Sequence, residues 1–405
     1  MSRETVPGHD DVRYHLLAYD EDGRERGGDS RDVVREAQNG VTDIFLFSHG
    51  WMGDVPAARE QYGKWLGTMA DCRAEREHAH NSPGGFKSLL IGLHWPSKAW
   101  GDEEIGSMSF VAESARLLGG GAARQAAVRT IVDAAMEDAA PDVLPPRVRE
   151  AYDFLEAADP DLPDEHDRAP FDAEQLYQGC LLDDAASFGG FSFGGLLDPL
   201  RVLTFWKMKK RARTFGEGGA AALVRDLQRA APQARIHLMG HSFGCIVMSG
   251  AAMRADRPVA TMALIQGAMS LWSYCSDIPE DRGHAGYFRS VVGDRRVTGP
   301  VLVTTSPFDN AVCRFYPLGA RSGRQVDFAP GRLPKYGAIG AHGVRGPGID
   351  LVDHVDLRSV GDLAPGRVHN IDARAVVATR DGIAGAHNDI CHVELGRLVW
   401  RAVRP

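Results

Sequence analysis

Apolar runs and helix-spaced apolar positions alternate through the first hundred residues. Residues 12–19 read as a strand and Asp20-Glu-Asp-Gly23 as a turn. Ser30 can cap a short helix through Gln38, which Asn39-Gly40 stops. Ile44-Phe-Leu-Phe47 is a continuous apolar strand ending in Ser48-His-Gly-Trp-Met-Gly-Asp54. A helix is expected over residues 55–76, and 86–95 give the next strand, broken by Pro96. Strand, helix, strand in this order predicts parallel strands joined by crossover helices.

The rhythm breaks at residue 98. Residues 110–118, 122–139 and 147–158 have helical patterns, the first two separated by Gly119-Gly-Gly121. Between Asp133 and Glu174 acidic residues outnumber basic ones, with prolines interspersed. The expected organisation is a core formed by residues 1–97 and 216–405, with 98–215 inserted as a cap or lid. Within the insertion, residues 196–213 join an apolar stretch to a basic end. Such a stretch can pack on the core with its cations at the negative end of the helix dipole, or lie peripherally on an anionic membrane or lipid. Core packing is the favoured reading.

Ala220, Leu223, Val224, Leu227 and Ala231 recur at helical spacing and lead into the short strand 236–239. Gly240-His-Ser-Phe-Gly244 follows at once, then an apolar, small-residue helix through Ala252. Strands are expected at 261–266, 300–305 and 373–379, an irregular excursion at 317–347, and a final helix at 390–403.

The turn at 240–244 carries the chemistry. G-x-S-x-G between strand and helix presents a serine hydroxyl on a strained turn, and the glycines allow close strand–helix approach. The N-terminal amides of the following helix favour developing negative charge. A second match, Gly190-Phe-Ser192-Phe-Gly194, has no strand before it and Pro199 after it, so Ser192 reads as a loop serine.

A serine nucleophile needs a base to take its proton and an acid to orient that base. In strand–turn–helix serine sites the chain order is serine, acid, histidine. Asp309 lies four residues beyond the strand ending at Thr305, on a turn started by Pro307. The competing reading is a turn-forming Asp-Asn pair, and the rival acids are Asp277, Asp294, Asp327 and Asp350. His387 falls between the last strand and the last helix, with His392 its main rival and His354 and His369 less favoured. The oxyanion donors are expected to be the backbone N–H groups of Phe243 and Trp51, with Met52 next. Met52, Met269 and Trp272 are candidates for the substrate pocket or for plain core. His49 reads as a structural hydrogen-bonding residue rather than a base.

Composition narrows the picture. The 405 residues are 44% hydrophobic and 25% charged, with a formal charge of −8, which argues against nucleic acid as a partner. The six cysteines are scattered, so reduced thiols are expected. The polar N-terminus has no apolar leader, and no run of about 18 apolar residues occurs. A cytoplasmic protein is the simplest expectation. No metal-ligand spacing, dinucleotide fingerprint or phosphate loop is present, and no cofactor is expected.

His49-Gly50, Gly240-His-Ser-Phe-Gly244, Thr305-Ser-Pro-Phe-Asp309 and Gly385-Ala-His387 together resemble the α/β-hydrolase superfamily, and the elbow is similar to those of lipases and esterases. The resemblance implies an α/β fold with a central, mostly parallel sheet. It also implies a serine hydrolase, here expected to cleave a small-molecule or lipid acyl ester. An amidase, thioesterase or acyltransferase would use the same triad, and a silent binding protein would keep the fold without the chemistry.

Overall fold

The computed structural model describes residues 3–51, 54–81, 85–97, 107–157, 171–181, 187–188, 191–192, 195–317, 333–380 and 384–403. The strands are β1 (Arg3–Val6), β2 (His9–Tyr19), β3 (Glu25–Arg26), β4 (Asp43–Ser48), β5 (Ser88–His94), β6 (Ser187–Phe188), β7 (Phe191–Ser192), β8 (Arg235–His241), β9 (Thr261–Ile265), β10 (Val301–Thr305), β11 (Leu351–Asp356) and β12 (Val368–Asp372). Ten of them form one sheet in the order β1-β2-β5-β4-β8-β9-β10-β12-β11, with β3 beside β2. Pairing is parallel from β2 through β11 and antiparallel only where β1 and β3 meet β2. The short β6–β7 hairpin stands apart.

The alternation of strand side chains divides the core into two layers. Ile44 and Leu46 enter one hydrophobic cluster, while Phe45 and Phe47 enter the other. The first layer also takes the insertion: Val111, Ile131, Tyr152, Leu203 and Trp206 join Ile44 and Leu46 in one continuous core. The second is covered by the helices Val55–Asp71 and Val393–Val403. A mostly parallel sheet between helical layers, with a large helical insertion, is consistent with an α/β-hydrolase-like fold. The helix Asp198–Phe215 buries Leu200, Leu203, Trp206 and Met208 in the first layer, the packing of a core helix. No helix among the described residues is long and apolar enough to cross a membrane.

Three local expectations differ from the structure. The helix expected over 55–76 is two, Val55–Asp71 and Arg73–His80, because Cys72 leaves helical geometry at ψ 62°. The last parallel strand is Val368–Asp372, not 373–379. There the Asp372 carboxylate accepts the Arg374 N–H, and the Ala373 carbonyl accepts the Val376 and Val377 N–H groups, turning the chain. Val377 is nevertheless fully buried, so the apolar run marks a packed turn. β11 lies at the sheet edge with a half-exposed, polar pattern, which gave no strand signal. The C-terminal helix starts at Val393 rather than 390.

Candidate active site

The order of the strands locates the site. From β4 the chain moves to β5 on one side, and later returns to β8 on the other. Ligand sites in open parallel sheets form at such a reversal, beyond the carboxyl ends of the strands. Here those ends are Ser48, followed by His49-Gly50-Trp51, and His241, followed by Ser242. The two segments touch. A Cβ on Gly50 would sit 2.5 Å from the Ser242 Cβ, and one on Gly244 would sit 2.2 Å from the Ser48 carbonyl oxygen. A Cβ on Gly240 would lie 2.4 Å from the Gly244 carbonyl oxygen. These are the close approaches for which glycine is required.

Ser242 is a non-glycine residue at φ 56°, the left-handed region that L side chains rarely adopt. Its N–H donates to the Ile265 carbonyl at 3.1 Å, and its carbonyl accepts the Ala268 N–H at 3.2 Å. The strained turn is thus pinned at both ends by the loop after β9. Gly50→Ala is expected to push the Ser242 side chain aside and lower kcat by roughly a hundredfold, the scale of an ångström-sized misplacement. Steady-state kinetics on the folded variant checks this.

Asp309 and His387 come together from loops after β10 and β12. The His387 Nδ1 and the Asp309 Oδ2 are 2.8 Å apart, and Asp309 is fully buried. A backbone bridge joins Asp309 to Gly385, and the Ala386 N–H donates to the Phe308 carbonyl at 2.9 Å. Gly385 has φ +62°, and a Cβ there would lie 2.4 Å from the Phe308 carbonyl oxygen, so the loop closes only through glycine. The His387 carbonyl accepts from the His241 Nε2 at 2.9 Å, and the two rings lie 4.7 Å apart. His241 is held on its other side by the Gln61 side chain, 3.0 Å from Nδ1. The residue preceding Ser242 therefore anchors the His387 loop. No direct hydrogen bond joins the Ser242 hydroxyl to His387.

The rival residues lie elsewhere. His392 pairs with Asp389, and His369 is within β12 and bonded to the Ala364 carbonyl. Asp277 binds Arg282, Asp350 binds Arg367, and His354 sits beside Asp353 on β11. Asp294 ends the short helix Arg289–Gly293. Asp327 and Met52 fall outside the described residues. Ser192 lies on β7, away from the main sheet.

Phe243 begins the helix Gly244–Arg254, and no side chain caps that N-terminus. The first amides of a helix have no intrahelical acceptor, so they remain available to a developing oxyanion. Trp51 packs beside Phe243, with ring centroids 6.1 Å apart. Phe205, from the insertion, lies edge-on to Trp51 at 5.8 Å and 5.0 Å from Phe243. This contact had no signal in the sequence, where Phe205 was one of several apolar residues on its helix. Met269 is buried near Ser249 and lines a small cavity with Lys209, Ile246 and Ser273. Trp272 packs with Leu271, Cys275 and Ile278, its indole N–H donating to the Lys335 carbonyl.

Several buried histidines flank this arrangement. His49 stacks on Trp95, with one ring nitrogen 2.8 Å from the Gly50 carbonyl and the other 3.1 Å from His94. Burial holds His49 down at about 3 and His94 at about 4. Burial also lowers His237 and, with the charge of neighbouring His387, drives His241 well below its ordinary value. The His49 and His94 rings stay neutral in the fold to well below pH 6.5, whereas in the unfolded chain they take a proton near 6.5. The unfolded state then binds more protons, so stability is retained above pH 6.5 and lost as pH falls toward 4. Each such histidine contributes up to about 1.4 kcal/mol per pH unit across that window. Stability measured by denaturant unfolding and circular dichroism is expected to fall as pH is lowered from about 6.5 to about 4.

Among the described residues no cluster of three or more histidine, cysteine, aspartate or glutamate side chains could hold a metal. A family model described as alpha/beta hydrolase matches residues 201–270, the stretch from the last insertion helix through the serine turn to the loop after β9. Over these residues the chain is similar to alpha/beta hydrolases. No curated protein and no solved structure matches the chain.

Proposed function

From the likeness of residues 201–270 to alpha/beta hydrolases and the geometry of the Ser242 turn, we propose that the protein is a cofactor-independent serine hydrolase acting on carboxylic esters with a hydrophobic acyl group. Ser242 attacks the ester carbonyl while His387 takes its proton. Asp309, bonded to the His387 Nδ1, fixes the tautomer that leaves Nε2 to act as base. The carbonyl π electrons move onto oxygen, and the Phe243 and Trp51 N–H groups hold the resulting oxyanion. Collapse expels the alcohol, protonated by His387, and water then releases the acid by the same steps in reverse order. The Asp309–His387 hydrogen bond, set on loops that meet the Ser242 turn, is the observation that carries this reading.

The aromatic surfaces of Trp51, Phe205 and Phe243 favour an apolar acyl or alcohol group over a charged one. The test is turnover of p-nitrophenyl acyl esters of increasing chain length, with hydroxylamine as a competing acceptor. Saturable turnover with hydroxamate formation supports an acyl-enzyme, and no release of p-nitrophenol at any chain length would sink it. Turnover of matched amides or thioesters, but not of esters, would replace the ester reading with the corresponding one.

A further inference from the structure

We propose that Gln266 is a positioning residue that aims the Asp309 carboxylate at His387 and ties it to the backbone of Ser242. The inference rests on the Ser242–His387–Asp309 reading above. Gln266 directly follows β9 and is completely buried. It has φ 45°, so two of the few non-glycine residues with positive φ are Gln266 and Ser242. Strain of this kind persists only where surrounding contacts over-determine it. Here a Cβ on Gly340 would lie 2.7 Å from the Gln266 carbonyl carbon, so the turn is packed tightly from behind.

The side chain is used at both ends. Its Nε2 donates to the Asp309 Oδ2 at 3.0 Å, and its Oε1 accepts from the Thr304 hydroxyl at 3.0 Å. The Thr304 oxygen in turn accepts the Gln266 backbone N–H at 3.0 Å. A hydroxyl has one proton to give, and the Gln266 Oε1 receives it. The amide orientation is therefore set, because the flipped form would turn its oxygen on the carboxylate. Asp309 receives three donors: His387 and Gln266 on Oδ2, and the Val312 N–H on Oδ1 at 3.2 Å. Gln266 and Val312 fix the carboxylate plane independently of the histidine.

The same turn holds the nucleophile. The carbonyl of Ile265 and the N–H of Ala268, on either side of Gln266, bind the two ends of the Ser242 backbone. One four-residue segment thereby registers the serine against the acid. A buried glutamine that merely satisfied Thr304 would not need to reach the carboxylate, and its loss would change stability without changing the reaction.

The experiment compares Gln266→Leu and Gln266→Glu with wild type in p-nitrophenyl ester kinetics and in fluorophosphonate labelling of Ser242. Gln266→Leu is expected to lower kcat roughly ten- to hundredfold, the scale of a lost hydrogen bond to a charged group, with KM within about twofold. Gln266→Glu is isosteric and gives a pH signature that a purely structural role would not. Protonated, the introduced carboxyl donates to Asp309 as the amide did. Ionised, it sets a second negative charge against it. Its kcat relative to wild type is expected to fall at least about tenfold as pH rises from 5.5 to 8. Wild-type kcat in Gln266→Leu, or wild-type kcat in Gln266→Glu at a pH where infrared spectroscopy shows the introduced carboxyl ionised, overturns the inference while the triad stands. The isosteric variant decides the question if Gln266→Leu does not fold. A wild-type protein that neither turns over esters nor labels at Ser242 overturns the triad and this inference together.

Discussion

Ser242→Ala is expected to lower kcat for a p-nitrophenyl acyl ester by roughly ten-thousand- to million-fold, because the acyl-enzyme can no longer form. The fold should survive. The left-handed backbone at position 242 is held by the Ile265 carbonyl and the Ala268 N–H, and neither contact involves the hydroxyl. Alanine has the same Cβ as serine, so it fits the same space against Gly50. The melting temperature should shift by no more than about 1 kcal/mol of stability implies. Steady-state turnover and thermal unfolding on the same preparation separate lost chemistry from lost fold. Equal rates for variant and wild type would remove Ser242 from the mechanism.

Asp309→Asn is expected to be nearly as damaging, on the order of ten-thousand-fold in kcat by analogy with the equivalent change in serine proteases. The cause lies in the contacts. Gln266 Nε2 and the Val312 N–H both donate to the carboxylate. An amide whose oxygen takes the Oδ1 place and accepts the Val312 N–H puts its NH2 in the Oδ2 place, facing the His387 Nδ1. The histidine would then carry its proton on Nε2, facing Ser242, and could not act as base. Substrate binding should be little changed, so KM is the internal control. A variant with wild-type kcat would show that the Asp309–His387 contact is structural only.

Much of this arrangement was legible in the chain because local rules and tertiary rules agree there. Ile44–Phe47 is apolar on both faces, as a strand covered by two helical layers must be, and residues 236–239 depart from that only at His237, which is buried against Asp43 and Thr261. The glycines at 50, 240, 244 and 385 mark backbone approaches that a Cβ would block. Asp309 stood out through its spacing from β10, and His387 through its place before the final helix. The signal failed where apolar character and strand pairing part company. Residues 375–378 are apolar, with Val377 buried in a turn, while β11 and β1 pair at the sheet edges with polar faces. Gln266 was hidden for a different reason: as the last residue of an apolar run it resembled a strand terminus. Its role depends on Asp309, 43 residues later. Phe205 reaches Trp51 and Phe243 only through the packing of the insertion, which helical periodicity does not specify.

That packing bears on substrate choice. The insertion and the sheet share one continuous core, and Phe205 packs its ring on Phe243, the residue after Ser242. Chain-length preference is therefore expected to respond to this helix rather than to the sheet.

The most direct test is covalent. Incubating the folded protein with a fluorophosphonate and mapping the adduct by peptide mass spectrometry asks whether the hydroxyl at the end of β8 is activated. The account predicts a single adduct on Ser242, lost in His387→Ala and in Ser242→Ala. A folded protein left unmodified at Ser242, or modified equally well without His387, would contradict it.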